Sequence, residues 1–462
     1  MTTTAVALSN TSVPSDESAL WRAMLQFLVP QTLGVALQLI SNTVTIAYLG
    51  RLIGPSALAA ASTFFPIFFL LTSFLLGLFS GGVVLVGQAH GAGDIARVRA
   101  VFGTTLCIGA TLGVAVAAAG YATAGHILAL IGTPPDILAT ATEYAQATFI
   151  ALPMLVILFA YLVLLRGTGD ALTPLWAMIL WIALGLVLTP ALIQGWLGLP
   201  TLGVLSAPYG NLAACVVTLA ALLIWLKRRG HPMAPDRAFL AALRFDPRIA
   251  LGLLGIGIPA GLQVALIALS EVVVVSLVNT FGSDATAAYG IFNQVISYVQ
   301  APAQAAAVAA SVFGAQAIGA GRADRLGAVT RMAVLLAIIA GAIVIGAVYL
   351  FSGGLLALFT SDPEPQSIAR HALMIALWSH LLVGAASVLA GVMRASGDVL
   401  VPTAVSIAAI WAVQLPTAYV LARRIGIDGV WIGYPAAFVA MLVAQAAYYL
   451  LLWRHRRHGR LV

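Results

Sequence analysis

The stretch LLRGTGDALTP, residues 164–174, interrupts a long apolar run with an arginine and an aspartate. A second stretch, GVMRASGDVLVP at residues 391–402, repeats this pattern. The arginine, aspartate and proline of the two stretches stand 228 positions apart, in the pairs Arg166 and Arg394, Asp170 and Asp398, and Pro174 and Pro402. A charged turn repeated at a fixed interval indicates that the chain contains two copies of one structural unit.

The composition indicates a membrane protein. Only 8% of the residues are charged, 61% are apolar, and the mean hydropathy is +1.04. A soluble domain needs more polar surface than this. Apolar runs of about 20 residues recur, each long enough to cross ~30 Å of hydrocarbon. Such runs exclude a membrane β-barrel, whose strands alternate over about 10 residues. We therefore predict an all-α polytopic membrane protein.

Turn signals between the apolar runs divide the chain into twelve predicted spans. The spans are predicted at residues 22–49, 57–87, 101–122, 138–165, 172–194, 202–226, 249–281, 286–315, 328–351, 368–393, 400–421 and 429–453. The domain prediction is a polar cytoplasmic tail at 1–20, a six-helix half at 21–226, a cytoplasmic linker at 227–248, a second six-helix half at 249–453 and a basic cytoplasmic tail at 454–462.

The basic residues predict the orientation. With the N-terminus in the cytoplasm, the twelve spans place 18 of the 22 lysines and arginines on the cytoplasmic side. Cytoplasmic loops of membrane proteins carry such an excess. We therefore predict a multi-pass protein of the cell (inner) membrane with both termini in the cytoplasm. Orientation and anionic lipid account for the net charge of +7, so no nucleic-acid partner is expected.

The repeat extends beyond the two charged turns. GQAHGAGD at 87–94 corresponds to AQAIGAGR at 315–322, and Gly54 corresponds to Gly282 at the same interval. Pro30 and Pro259 correspond at an interval one residue longer. Because six is an even number, the two halves start on the same side and the repeats are parallel. Two such halves suit a secondary transporter with a substrate site between them and alternating access to the two sides.

These motifs resemble those of the multidrug and toxic compound extrusion (MATE) transporters. The resemblance rests on the two charged turns, on GRLIGPSALAAAS at 50–62, and on the two glycine-rich motifs after the second and eighth spans. It implies a lobe from each six-helix bundle, a central cavity, and efflux of varied, often cationic, organic compounds driven by protons or sodium ions. Many bacterial relatives have an aspartate in the first span where this chain has Thr45, so their N-terminal proton site is not expected here.

The charged turns have two interpretations. Arg166 and Arg394 can cap the final carbonyl groups of one helix, while Asp170 and Asp398 cap the start of the next. Alternatively, each pair belongs to a cytoplasmic gate that opens and closes as the halves move.

Glu271 is the one acidic residue predicted deep inside a span. A charged carboxyl in hydrocarbon is costly, so Glu271 is either hydrogen-bonded between helices or exchanges a proton for a cation. His380, near the middle of the tenth span, is a candidate to share that proton, because the ordinary pKa of histidine lies near neutrality. Sodium prefers further carboxylate oxygens, so the sequence favours protons as the coupling ion. No cofactor, metal centre or catalytic residue is expected.

Polar side chains inside several spans are candidates to line a cavity or to join helices. Those of the eighth span follow one helical stripe, which also includes Ser311. The candidates are Gln38, Asn42, Gln263, Asn293, Ser297, Gln300, Gln304 and Gln414. Without lysine or arginine, such a cavity favours neutral or cationic amphiphilic small molecules. We therefore predict a monomeric antiporter rather than an enzyme. The alternative is a flippase or exporter of a lipid-linked or other amphiphilic metabolite.

Overall fold

The computed structural model describes residues 16–461, except 238, 240–242 and 361. Within that part of the chain, twelve helices are long and apolar enough to cross a membrane, which confirms the all-helical prediction. They are α1 (Glu17–Ile53), α2 (Ala57–Gly91), α3 (Ile95–Leu130), α4 (Pro135–Gly167), α5 (Leu172–Gln194), α6 (Gly203–Arg228), α7 (Pro247–Asn279), α8 (Ser283–Gly319), α9 (Ala323–Ala357), α10 (Pro363–Ala395), α11 (Leu400–Ile425) and α12 (Asp428–His455). The predicted tail at 1–20 lies outside the described residues as far as residue 15.

Most helices extend beyond the predicted apolar spans. The sequence predicts the third span at 101–122, whereas α3 covers Ile95–Leu130. Its start is set by Asp94, whose carboxylate accepts a hydrogen bond from the Arg97 backbone N–H at 2.9 Å. Hydropathy detects only the apolar part of a helix, whereas capping side chains determine where the backbone hydrogen bonding begins.

Several helices contain a segment of locally different winding, and three of these segments lie at the end of α1 or inside α10 and α11. Leu49–Ile53, at the end of α1, and Ala409–Gln414, within α11, are π-helical, and Leu377–Ser379, within α10, is a 3-10 turn. Two of the candidate residues lie at these places: Gln414 ends the π segment of α11, and His380 directly follows the 3-10 turn. Such segments change the direction in which the following side chains point.

The contacts divide the chain into two compact units, and both divisions fall inside a helix. Unit 1 contains Leu33–Gly257, and unit 2 contains Ile258–Leu461 together with the first part of α1, as far as Thr32. The division in α1 follows shortly after Pro30, and the division in α7 comes shortly before Pro259. Both divisions therefore lie beside the proline pair that departs from the interval of 228.

Each divided helix packs with the unit to which its residues belong. In unit 2, the Phe27 ring of α1 lies edge-on against Phe313 of α8, with centroids 5.9 Å apart. In unit 1, the first part of α7 approaches α2 so closely that a Cβ added at Gly81 would lie 2.8 Å from the Leu253 carbonyl oxygen. Glycine permits this backbone approach because it has no side chain.

In unit 1, part of the predicted linker is packed against the helices. Phe239 is 2% exposed, and its ring meets that of Phe102, which also contacts Tyr161. The Arg99 guanidinium forms an ion pair with Asp236 at 3.0 Å. The described part of the linker is therefore a folded part of unit 1, held by aromatic burial and by an ion pair.

In unit 2, an aromatic cluster occupies the interior. Phe292 of α8 packs against Trp431 and Tyr434 of α12, with ring centroids 5.0 and 5.4 Å apart. Helices α8 and α10 approach closely, since a Cβ added at Gly391 would lie 2.4 Å from the Ala307 carbonyl oxygen. These contacts hold α8, α10 and α12 around the residues described next.

Candidate ion-coupling site

The two charged turns share their backbone but not their side-chain contacts. Gly169 and Gly397 have φ angles of +86° and +84°, which glycine adopts without strain. Asp170 caps α5, because its carboxylate accepts a hydrogen bond from the Thr173 N–H at 3.0 Å. Asp398 instead accepts a hydrogen bond from the Tyr448 hydroxyl at 2.6 Å and lies 3.5 Å from the Arg456 guanidinium.

The arginines of these turns are not paired with the aspartates. No ion pair joins Arg166 to Asp170, or Arg394 to Asp398, in the described part of the chain. The Nε atoms of Arg166 and Arg394 are both buried and have no hydrogen-bond partner among the described residues. A buried guanidinium nitrogen without a partner is costly, so each arginine keeps an unsatisfied donor in this conformation.

Glu271 lies on α7 within unit 2 and is half-buried. It stands eight residues before the end of the helix at Asn279, a rise of about 12 Å. Its Oε2 accepts a hydrogen bond from the Tyr289 hydroxyl of α8. The Tyr289 ring stacks against Trp431 with centroids 6.1 Å apart, so the donor is fixed by aromatic packing.

Two further side chains approach this pair. The Tyr434 hydroxyl is buried near Glu271 and Tyr289, yet it forms no hydrogen bond to a described residue that meets normal geometry. Asn293 approaches the Tyr289 hydroxyl from one helical turn further along α8. Neither tyrosine was a candidate in the sequence. Tyr289 could have been found, because it extends the polar stripe of α8 by one step of four residues before Asn293.

His380 lies in the same unit but has different neighbours. It is 4% exposed, its Nδ1 lies 3.2 Å from the Ala376 carbonyl oxygen, and its ring meets Phe438 edge-on. Its Nε2 is buried and has no hydrogen-bond partner among the described residues. No hydrogen bond or ion pair joins His380 to Glu271 in the described part of the chain. A shared proton between them therefore stays a prediction.

The eight candidates to line a cavity are distributed unevenly. Gln38 and Asn42 belong to unit 1, and the other six cavity candidates belong to unit 2. Gln263 accepts a hydrogen bond from the Thr403 hydroxyl at 3.4 Å, and the Ser297 hydroxyl donates to the Asn293 carbonyl oxygen. The exposed fractions also differ: Gln414 is buried, Gln38, Gln263, Asn293, Ser297 and Gln300 are half-buried, and Asn42 and Gln304 are exposed.

The arrangement around Glu271 suits proton or cation exchange. The carboxyl has one phenol donor, Tyr289, and a second phenol, Tyr434, close by, so a charge on it is only partly compensated. Binding a proton or a cation removes that charge, and releasing it restores the charge. Within the described residues, no group of three or more histidine, cysteine, aspartate or glutamate side chains is placed to hold a metal ion.

Comparison with known proteins shows the family. The MatE family model matches residues 30–191 and 259–420, one match in each half of the chain. A probable multidrug resistance protein of Bacillus subtilis, YoeA, is 43% identical over 446 residues, covering 96% of each chain. The multidrug export protein MepA of Staphylococcus haemolyticus is 23% identical over 93% of this chain and 94% of its own length.

A solved structure has the same fold. The Vibrio cholerae MATE transporter VcmN, crystallised as a mutant, matches with a TM-score of 0.88 at 23% identity, covering 95% of this chain and 98% of VcmN. The chain therefore belongs to the MATE family of membrane transporters, as its motifs indicated, and is not an enzyme.

Proposed function

We propose that this protein is a proton-coupled antiporter that exports neutral or cationic amphiphilic organic compounds. The observation that carries the proposal is the Glu271 carboxyl on a membrane-spanning helix, with Tyr289 as its hydrogen-bond donor. The names of YoeA and MepA support multidrug export as the wider activity. Proton and substrate compete for the carboxyl, so each must leave before the other can bind.

Protons are favoured over sodium ions by the ligands at this site. A single carboxyl and a phenol offer few oxygen ligands, whereas hard cations prefer several. A proton needs only one acceptor. His380 is the second candidate in the proton path, because its buried Nε2 has no partner among the described residues and can accept a hydrogen bond.

Alternating access accounts for the charged turns. In this conformation the buried Nε atoms of Arg166 and Arg394 have no hydrogen-bond partner among the described residues. We propose that both arginines gain partners in a second conformation. In the proposed orientation, both termini and the linker lie in the cytoplasm. The protein acts as a monomer in the cell (inner) membrane. The excess of arginine in the linker and the C-terminal tail supports this orientation.

Reconstituted transport tests the coupling. Purified protein in proteoliposomes is given a fluorescent lipophilic cation under a proton gradient or, separately, a sodium gradient. We expect efflux under the proton gradient only, and Glu271→Gln should abolish it while leaving the thermal unfolding midpoint unchanged. The matched control is Asp284→Asn, which neutralises an exposed carboxyl in the same unit and should keep full efflux. Full activity of Glu271→Gln would refute the proposal.

The same assay tests His380. We expect His380→Ala to shift the pH dependence of efflux, because a titrating group in the proton path is removed. An unchanged pH profile would assign His380 a structural role only.

Transport of a lipid-linked sugar in place of the cation would favour the flippase alternative.

A further inference from the structure

An arginine-lined crevice in unit 1 lies outside the coupling site. It has a volume of about 540 Å³ and is lined by Arg97 at the start of α3 and by Arg244, Phe245, Asp246, Pro247 and Arg248 at the start of α7. None of the three guanidinium groups forms an ion pair with a described residue. Three positive charges without an ion-pair partner around one crevice favour an anion.

The crevice contains a buried nitrogen that lacks a partner. The Nε of Arg97 is buried without a hydrogen-bond partner among the described residues. The one acidic residue of the crevice, Asp246, is already engaged, because its Oδ1 accepts hydrogen bonds from the Arg248 and Ile249 N–H groups at 2.9 and 3.4 Å. Asp246 therefore caps α7, and the arginines remain available for a ligand.

A buried threonine holds the crevice in shape. Thr104 of α3 is 0% exposed, and its hydroxyl donates to the Arg244 carbonyl oxygen at 3.1 Å. The same hydroxyl accepts a hydrogen bond from the Asp246 N–H at 3.4 Å. The backbone of residues 244–246 is thus fixed against α3, so the main chain that carries Arg244 is positioned beside Arg97 before a ligand arrives.

The position of the crevice indicates which anion it binds. It adjoins the first residue of α7, Pro247, where a membrane-spanning helix begins. Phe245 is 62% exposed beside it, and an exposed phenylalanine at the start of a spanning helix suits the boundary between headgroups and acyl chains. We propose that the crevice binds the phosphate of an anionic phospholipid in the leaflet on the linker side of the membrane.

Lipid-dependent stability tests this site without measuring transport. The full chain is unfolded thermally in mixed micelles of phosphatidylcholine with increasing phosphatidylglycerol. We expect phosphatidylglycerol to raise the unfolding midpoint of the wild type and not that of R97Q/R244Q/R248Q. The fraction of phosphatidylglycerol needed for half the effect should rise about fivefold for each arginine removed.

Two controls distinguish lipid binding at the crevice from a general effect of the positive charge of the protein. The variant R454Q/R457Q/R460Q removes the same charge from the C-terminal tail and should keep the full response. If the triple crevice variant does not fold, R244Q alone, whose side chain is exposed, should still show the fivefold change. An equal response of wild type and R244Q, or an equal loss in the tail variant, overturns the proposal. A full response to soluble glycerol phosphate would show that the site takes a free phosphate compound and would overturn the lipid assignment.

Discussion

The two halves of this transporter share their turns and differ in their interior chemistry. On α8, Asn293 and Ser297 belong to a polar stripe, whereas Phe65 and Phe69 occupy the corresponding positions of α2, 228 residues earlier, and are 56% and 39% exposed. His380 corresponds in the same way to Leu152. Glu271 corresponds to Asn42 or Thr43, depending on where the additional residue of the interval falls.

The difference separates two roles within one repeat. The charged turns and glycine-rich motifs recur because each half needs the same helix ends and the same chain reversals. Glu271, Tyr289 and His380 have no acidic, tyrosine or histidine counterpart at the corresponding positions of the first half, so the proposed coupling belongs to unit 2. A repeat can therefore preserve a fold while one copy carries the ionisable groups.

The largest loss of folding stability is expected at a position where helix packing differs between the halves. Gly391 corresponds to Val163 in the first half, yet a Cβ at Gly391 would lie 2.4 Å from the Ala307 carbonyl oxygen. Gly391→Val should cost about 3 kcal/mol or more, because backbone atoms must move apart. Thermal unfolding in detergent measures the loss. Gly346→Val is the control, since its Cβ would meet nothing within 4 Å, and an equal loss there would contradict the packing argument.

A smaller effect is expected from the donor to Glu271. Tyr289→Phe removes a hydrogen bond to the carboxyl, a bond worth about 1.5–3 kcal/mol when one partner is charged, so proton-driven efflux should fall about tenfold or more. Tyr434→Phe removes a nearby hydroxyl that forms no hydrogen bond of normal geometry to a described residue, and it should stay within about twofold of wild type. Initial efflux rates in proteoliposomes measure both effects. Equal losses in the two variants would show that the Tyr289 hydrogen bond has no particular role.

The smallest effect is expected from the histidines near the two turn aspartates. Burial lowers the pKa of His231 to about 4, although Asp170 opposes the shift, and burial also lowers the pKa of His458 near Asp398. The unfolded chain then binds the proton more readily than the folded protein. The contribution of the uncharged His231 to the free energy of unfolding is therefore fully present above about pH 6.5. It is lost as the pH falls towards 4.

Replacement of each histidine measures this loss. His231→Gln should reduce the fall in the unfolding midpoint between pH 7.5 and pH 5, by about 2 °C. His458→Gln should have a smaller effect, because His458 is buried less than His231. The same pH dependence in wild type and His231→Gln would contradict the burial of an uncharged imidazole at this position.

The site was predictable only in part from the sequence. Glu271 stands out because a carboxyl in a long apolar run is rare, and that judgement requires no knowledge of its neighbours. Tyr289 is visible in the sequence only as one more polar step of the α8 stripe, and Tyr434 does not stand out, because tyrosines are common at the ends of spanning helices. The crevice around Arg97 and Arg244 was equally hidden, since α3 and the end of the linker are far apart in the chain.

The sequence by itself determined the twelve spans, the twofold repeat and the two glycine turns. Each depends on hydropathy or on the conformational freedom of a few neighbouring residues, and both are local properties. Only the tertiary structure decided that Tyr289 donates to Glu271, that His380 packs against Phe438, and that the contacts divide α1 and α7 within the helix. These features depend on which helices meet and at what depth, and side-chain packing between distant segments decides that.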